Sequence, residues 1–145
     1  MKIKNKDVEE IALFLLDFKL KGVENRRRNK FFKMLQSHLR ELQEEHKQLL
    51  EEYCNKNEDG SLKTLEDDGR SLYDIQDVEG FQKEYEKLME EYLYVPTDES
   101  FSTVIGTVKK IVLNCDKEFS GAEALKYETI CELFEDDSIP HVELV

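Results

Sequence analysis

The stretch with a recognisable metal-ligand spacing lies near the middle of the chain. Asn55, Asn57, Asp59, Gly60 and Glu66 fall at positions 1, 3, 5, 6 and 12 of the EF-hand loop pattern, with Leu62 at the apolar eighth position. Side-chain oxygens of Asn55, Asn57, Asp59 and Glu66, with the Ser61 carbonyl, would surround a calcium ion. Against this, Asn55 is neutral where the pattern takes Asp, Lys63 puts a cation at position 9, and Asp68-Gly69 interrupts the exit helix. Only two ligands would carry charge, and fewer charged ligands mean weaker binding. Asn, Asp and Gly are also the residues a turn needs for steric reasons. The segment is therefore expected to serve as a turn, with no metal held at micromolar calcium and no cofactor.

The histidines and cysteines add no second site. His46 lies on an apolar helical seam and reads as a core or boundary histidine, while His38, with Glu41 and Glu45 nearby, makes only half a site. The Glu-x-x-His spacing of helical di-iron proteins is missing, because Leu35 and Gln43 precede the two histidines by three. His141 stands near the C-terminal end. Cys54, Cys115 and Cys131 are an odd number without CxxC spacing, which argues against a disulfide framework and a zinc knuckle and suits a reducing cytoplasm. There is no nucleophile with an evident base, no Gly-rich phosphate loop and no strand–Gly–helix fingerprint. Catalysis is not expected.

What remains is charge and its placement. Arg26, Arg27, Arg28, Lys30 and Lys33 crowd the opening turns of a long helical pattern, where the positive end of the helix dipole disfavours cations. Glu24 offsets Arg28 at i+4; the other cations need carboxylates from the same fold, a sister chain or an acidic partner. Residues 1–40 hold 11 Lys/Arg against 5 Asp/Glu, and residues 41–145 hold 10 against 28, within a net charge of −12. Glu44, Glu45, Glu51 and Glu52 lie off the apolar seam, with Glu84, Glu86, Glu90 and Glu91 following. Such an array repels phosphate, so direct nucleic-acid binding is not expected, but it can imitate a nucleic-acid backbone.

The elements that carry these residues read as helices. Phe32, Leu35, Leu39, Leu42, His46, Leu49 and Tyr53 are spaced 3, 4, 3, 4, 3, 4, predicting one helix over about 23–54, roughly 45 Å long. Val78, Phe81, Tyr85, Leu88, Tyr92 and Val95 repeat the spacing and predict an antiparallel helical hairpin of residues 23–56 and 78–94. Tyr92 to Pro96 also has strand composition and can instead pair with residues 1–4. Between the two helices, Asp59-Gly60 and Asp68-Gly69 mark turns, and Leu62–Leu65 with Ser71–Ile75 predict a short β-hairpin, a flexible loop being the alternative.

An N-terminal helix over about 7–21 is apolar nearly all round, with Leu13, Phe14, Leu16 and Leu20 widening the face of Val8, Ile11, Ala12, Leu15 and Phe18; it is expected to be the most buried element, with Gly22 as its stop. Thr97 or Asp98 caps a helix bearing Phe101, Val104, Ile105, Val108, Ile111 and Val112. Ser120-Gly121-Ala122-Glu123 has the capping-box pattern of a last helix. The fold class is mainly α, an antiparallel helical hairpin built on one long helix, with additional packed helices and at most a minor β-hairpin or edge strand. Residues 1–137 are expected to form a single helical domain and 138–145 a mobile or extended tail. The N-terminal residues lack the pattern of a signal peptide, and the longest apolar run, Ile11–Leu16, is too short to span a bilayer, so no membrane partner is expected.

The opening Met1-Lys2-Ile3-Lys4-Asn5, the basic residues followed by Phe31-Phe32-Lys33-Met34-Leu35, the Asp-Gly-rich connector and Asn114-Cys115-Asp116-Lys117-Glu118-Phe119-Ser120-Gly121 together resemble an uncharacterised family of small acidic proteins of tailed phages and prophages of Gram-positive bacteria. The resemblance covers about residues 1–136. It implies a phage-encoded protein in the bacterial host cytoplasm or in particle assembly, and carries over no functional residue. The resulting expectation is a non-enzymatic protein-interaction module that self-associates as a homo-oligomer. Its basic cluster would meet acidic residues of a partner or sister chain, and assembly chaperone is one concrete role. The alternative is an inhibitor of a host nucleic-acid-binding or defence enzyme, acting through the acidic surface as a nucleic-acid mimic.

Overall fold

The structure, a computed structural model, describes residues 1–135; the tail expected over 138–145 and His141 lie outside the described residues. In chain order the elements are β1 (Lys2–Lys4), α1 (Asn5–Leu16), α2 (Gly22–Tyr53), β2 (Thr64–Asp67), β3 (Arg70–Tyr73), α3 (Val78–Glu90), β4 (Tyr92–Tyr94), α4 (Glu99–Leu113) and α5 (Gly121–Phe134). The fold is mainly α and built on one long helix, as the seams predict. Where the sequence suggests one domain, the described residues cluster into two compact units: residues 1–39 with 92–135, and residues 40–91. Among the described residues no helix is long and apolar enough to cross a membrane.

In the first unit the core gathers Val8, Ile11 and Leu15 of α1, Phe31 and Leu35 of α2, Val104, Val108 and Val112 of α4, and Ile130 and Phe134 of α5. The most enclosed helix is α4 rather than α1. Its residues Val104 to Val108 are buried without a break, and five successive residues at 100° each turn past a full circle. Burial of this kind makes a helix of a β-branched stretch whose propensity is poor. Asp98 caps it, its carboxylate accepting the Phe101 N–H at 3.0 Å. Helix α1 is only half enclosed: Leu13 and Leu16 face solvent. It also ends at Leu16, before the expected stop, and Gly22 (φ +51°) begins α2.

Residues Tyr92–Tyr94 leave the helical pattern and pair antiparallel with β1, Ile3 opposite Leu93. The aromatic composition of this stretch wins over its place in the 3,4 spacing. Ser120 sits at the N-cap of α5, but its side chain makes no capping bond, so the capping box does not form.

In the second unit α3 runs antiparallel to the distal part of α2, with Tyr53 against Phe81 (ring centroids 6.0 Å apart) and His46 against Tyr85 (5.2 Å). The connector is ordered. Strands β2 and β3 form a hairpin with Leu65 opposite Leu72, turned by Asp68 (φ 50°) and Gly69 (φ 76°). Two successive positive φ values are the type I′ geometry that suits the twist of a two-residue hairpin. At its base the Asn55 N–H donates to Asp74 O, Lys63 N–H to Asn55 O and Asp74 N–H to Lys63 O, tying the end of α2 to both strands.

Candidate functional site

The acidic excess belongs mainly to the second unit, which holds 17 Asp/Glu against 7 Lys/Arg in residues 40–91. Glu44, Glu45, Glu51 and Glu52 are all exposed on α2. They do not form one row. Glu45 and Glu52 turn toward α3, where they line a groove of about 370 Å³ with Gln48, Leu49, Glu84, Lys87, Leu88 and Glu91. The two helices contribute identically spaced sets, 45, 48, 49, 52 and 84, 87, 88, 91, the i, i+3, i+4, i+7 positions of one helix face. Each set begins and ends on Glu and has Leu third. The result is a short apolar floor, Leu49 and Leu88, flanked by four carboxylates and one lysine. Sequence reasoning named Glu45 and Glu52 but missed their pairing with Glu84 and Glu91, which depends on how the two helices align. At the hairpin end of the groove, burial followed by the charge of Glu84 pushes the Tyr53 hydroxyl above its usual pKa, which keeps it neutral.

The candidate calcium ligands sit in a turn and at the base of a hairpin. Asn55 donates its side-chain N–H to Asp74 Oδ2 at 3.0 Å. Asp59 Oδ1 accepts the Ser61 backbone N–H at 3.0 Å and its hydroxyl at 2.6 Å, and these bonds hold its pKa below the usual carboxylate range. Asn57 donates to Ser61 Oγ at 2.9 Å. Glu66 lies on β2 opposite Ser71, so the twelfth position of the pattern is part of a strand and does not close back over the turn. These residues form an Asx-type turn and a hairpin base.

The basic cluster divides. Arg28 is buried and donates from Nη1 to Leu15 O and Phe18 O, from Nε to Asn29 Oδ1 and from Nη2 to Asn25 Oδ1, all at 2.8 Å. It closes the carbonyl end of α1, where a helix has acceptors without partners and negative dipole charge. Arg27 Nη1 donates to Thr107 Oγ1 at 2.9 Å, a hydroxyl that is itself fully buried on α4. Arg26, Lys30 and Lys33 stay exposed. The two arginines are therefore satisfied by carbonyl, amide and hydroxyl oxygens of the same unit, and three cations remain on the surface. His38 bonds Asn5 Oδ1 at 2.7 Å and His46 lies between Phe81 and Tyr85, both serving packing. The cysteines are free thiols; Cys54 is buried and the other two half-buried. Among the described residues no three His, Cys, Asp or Glu side chains converge as a metal site.

Two further titrating groups lie between α1, α5 and the α4–α5 connector. Lys117 donates to Asp17 Oδ2 at 2.8 Å and holds that carboxyl below its usual pKa. Burial, then the hydrogen bond with Cys131, drives the Tyr127 hydroxyl well above its usual value, so it remains a donor, to Val112 O at 2.7 Å. Comparison of the chain with protein-family models, curated proteins and solved structures gives no match.

Proposed function

We propose that this chain is a non-enzymatic protein-interaction module whose acidic α2–α3 arm engages a basic surface on a protein partner. The observation that carries the reading is the groove of residues 45–52 and 84–91, in which Leu49 and Leu88 are flanked by Glu45, Glu52, Glu84 and Glu91. A lysine or arginine side chain matches that arrangement, its methylene stem lying on the leucines and its head meeting a carboxylate. Complementary charge of this kind speeds encounter and selects the partner more than it adds affinity. On its resemblance to small acidic phage proteins, the module acts in a bacterial host during phage growth, and holding a particle component for assembly is one such role.

The test is capture of interacting proteins from infected host cells by the wild type and by a variant with Glu44, Glu45, Glu51 and Glu52 all changed to Gln. The variant keeps its helix, since the four side chains are exposed. It is expected to lose a basic protein that the wild type retains in low salt. Identical captured sets would reject the acidic arm as the contact.

The density of carboxylates along both helices favours a second reading, in which the arm occupies the nucleic-acid groove of a host enzyme. Double-stranded DNA should then displace the captured protein, and loss of the gene should matter only on hosts that carry that enzyme. A captured protein that DNA does not displace, with particle formation failing on every host, favours assembly.

A further inference from the structure

The proximal part of α2 carries cations and no carboxylate. From Arg26 to Arg40 there are six Lys/Arg and no Asp or Glu. Arg27 and Arg28 are bonded within the first unit, while Arg26, Lys30 and Lys33 are exposed. These three follow an i, i+4, i+7 spacing and so share one face of the helix, where their neighbours Asn29, Gln36 and Ser37 are uncharged. Among the described residues none of the three is in an ion pair.

The groove of the α2–α3 arm has the reciprocal character. Its carboxylates, Glu45, Glu52, Glu84 and Glu91, outnumber its single cation, Lys87, by three. None of the four is in an ion pair among the described residues. The repeats agree as well. Glu45 and Glu52 are seven residues apart, as are Glu84 and Glu91, and so are Arg26 and Lys33; along a helix that is about 10.5 Å. Arg26 and Lys33 therefore match the two ends of the groove, and Lys30, between them, falls over Leu49 and Leu88, which suit its methylene stem.

Charge placement selects the occupant. Residues 40–91 hold 17 Asp/Glu against 7 Lys/Arg, so one arm repels another. The first unit holds 14 Lys/Arg against 13 Asp/Glu over residues 1–39 and 92–135, and its overall charge does not oppose an acidic arm that approaches the α2 face. Attraction thus joins unlike surfaces of two molecules. Nucleic acid fits the basic face less well, because three cations neutralise few phosphates while a chain of net charge −12 repels the rest.

We propose that a partner of the arm is a second copy of this chain: on the reading of the α2–α3 groove as an interaction surface, Arg26, Lys30 and Lys33 of one copy dock between the glutamates of the groove of another. Three positive charges meet a groove with three negative charges in excess, and each copy carries both surfaces.

Sedimentation velocity of the full chain over a concentration series tests it. At about 0.1 M salt the net charge of a copy is screened beyond about 10 Å while touching charges still act, and the sedimentation coefficient is expected to rise with concentration. At about 1 M salt, with a Debye length of about 3 Å, it should stay that of the monomer. Changing Arg26, Lys30 and Lys33 together to Glu should weaken association at least about tenfold, and so should Glu45→Lys with Glu52→Lys, since ion pairs give way to repulsion. The substituted side chains are exposed, and helical circular dichroism should not change. Changing the three cations to Gln should act in the same direction and covers the case in which reversed charges disturb folding. An equimolar mixture of the two reversed variants brings an intact basic face to an intact groove and should associate where neither variant alone does.

A monomer at every concentration overturns the proposal, with or without nucleic acid retained on the basic face. So does an association that high salt or either reversed variant leaves intact, or a mixture that stays monomeric. A monomeric wild type that captures a basic host protein, and loses it on the four-glutamine change in the arm, refutes the second copy and leaves the arm as an interaction surface. Salt-sensitive self-association with host-protein capture unchanged in that variant refutes the host partner alone.

Discussion

Replacing Arg28 with Met removes the guanidinium and keeps most of the stem that packs beside α1. Four hydrogen bonds at 2.8 Å are lost from a side chain only 7% exposed. A bond from a charged donor contributes about 1.5–3 kcal/mol net, but the four do not count equally. The amides of Asn25 and Asn29 are half-buried and can turn to water, and Leu15 O keeps the Phe18 N–H at 3.4 Å. The main losses are the Phe18 carbonyl and the charge placed at the end of the α1 dipole, for a total of about 2–4 kcal/mol. For a chain of this length that lowers the melting temperature by about 5–12 °C. Arg28→Lys keeps the charge without the planar fork and should recover about half of the loss. Urea titrations of the three proteins followed by circular dichroism measure this. If Arg28→Met lies within about 0.5 kcal/mol of wild type, the range of ordinary surface changes, then Arg28 is a solvated cation and its place as the α1 closure is refuted.

Gly69→Ala should destabilise the β2–β3 hairpin by about 1–2 kcal/mol, because alanine is strained at φ +76°. Both strands are exposed, so the effect should appear as faster amide exchange in Thr64–Tyr73 with little change in global melting. Asp17, Asp59 and Asp98 all have pKa values lowered by folding, Asp17 through Lys117, Asp59 through Ser61 and Asp98 through Ser100. Their contribution is complete above the unfolded carboxylate value and is lost as pH falls through the lower folded values. Melting temperature against pH should therefore drop below the ordinary aspartate range, and Lys117→Met should flatten that limb and return the Asp17 titration, read by NMR, toward normal.

The distal half of α2 and all of α3 were legible because Tyr53, His46, Phe81 and Tyr85 keep one spacing and meet one neighbour. In the proximal half the helix and the buried Leu35 were legible, but the buried ring was not. Phe31, not Phe32, is the fully buried ring, stacked on Phe101 at 6.2 Å and near Phe134 at 5.8 Å, and two adjacent residues differ by 100° of helix. Periodicity measures how much of a helix is apolar; it does not count the elements available to cover it. For that reason α1 reads as enclosed although Leu13 and Leu16 are open. Turn chemistry located the Asp68-Gly69 turn but left a flexible loop as the alternative, and the strands lie at Thr64–Asp67 and Arg70–Tyr73 rather than Leu62–Leu65 and Ser71–Ile75. At the surfaces, residue type revealed the carboxylates of the arm but not their alignment across the groove. Nothing in the run of basic residues distinguished Arg28, whose acceptors are two backbone carbonyls and two asparagine amides, from Lys30, which has an exposed side chain.

The pairing of β1 with β4 sets a schedule for synthesis. Residues 2–4 must wait for residues 92–94, and Asp17 for Lys117, 100 positions later. Closing a flexible loop of that length costs about 4 kcal/mol in chain entropy, whereas the hairpin of residues 64–73 and the α2–α3 pair close over short distances. At ribosomal speed the core partners of α1 on α4 and α5 follow it by on the order of 10 s. Until those partners emerge only α2, through Phe31, Leu35 and Arg28, can cover α1, and the side of α1 that meets α4 and α5 stays open to whatever the cell offers a nascent chain.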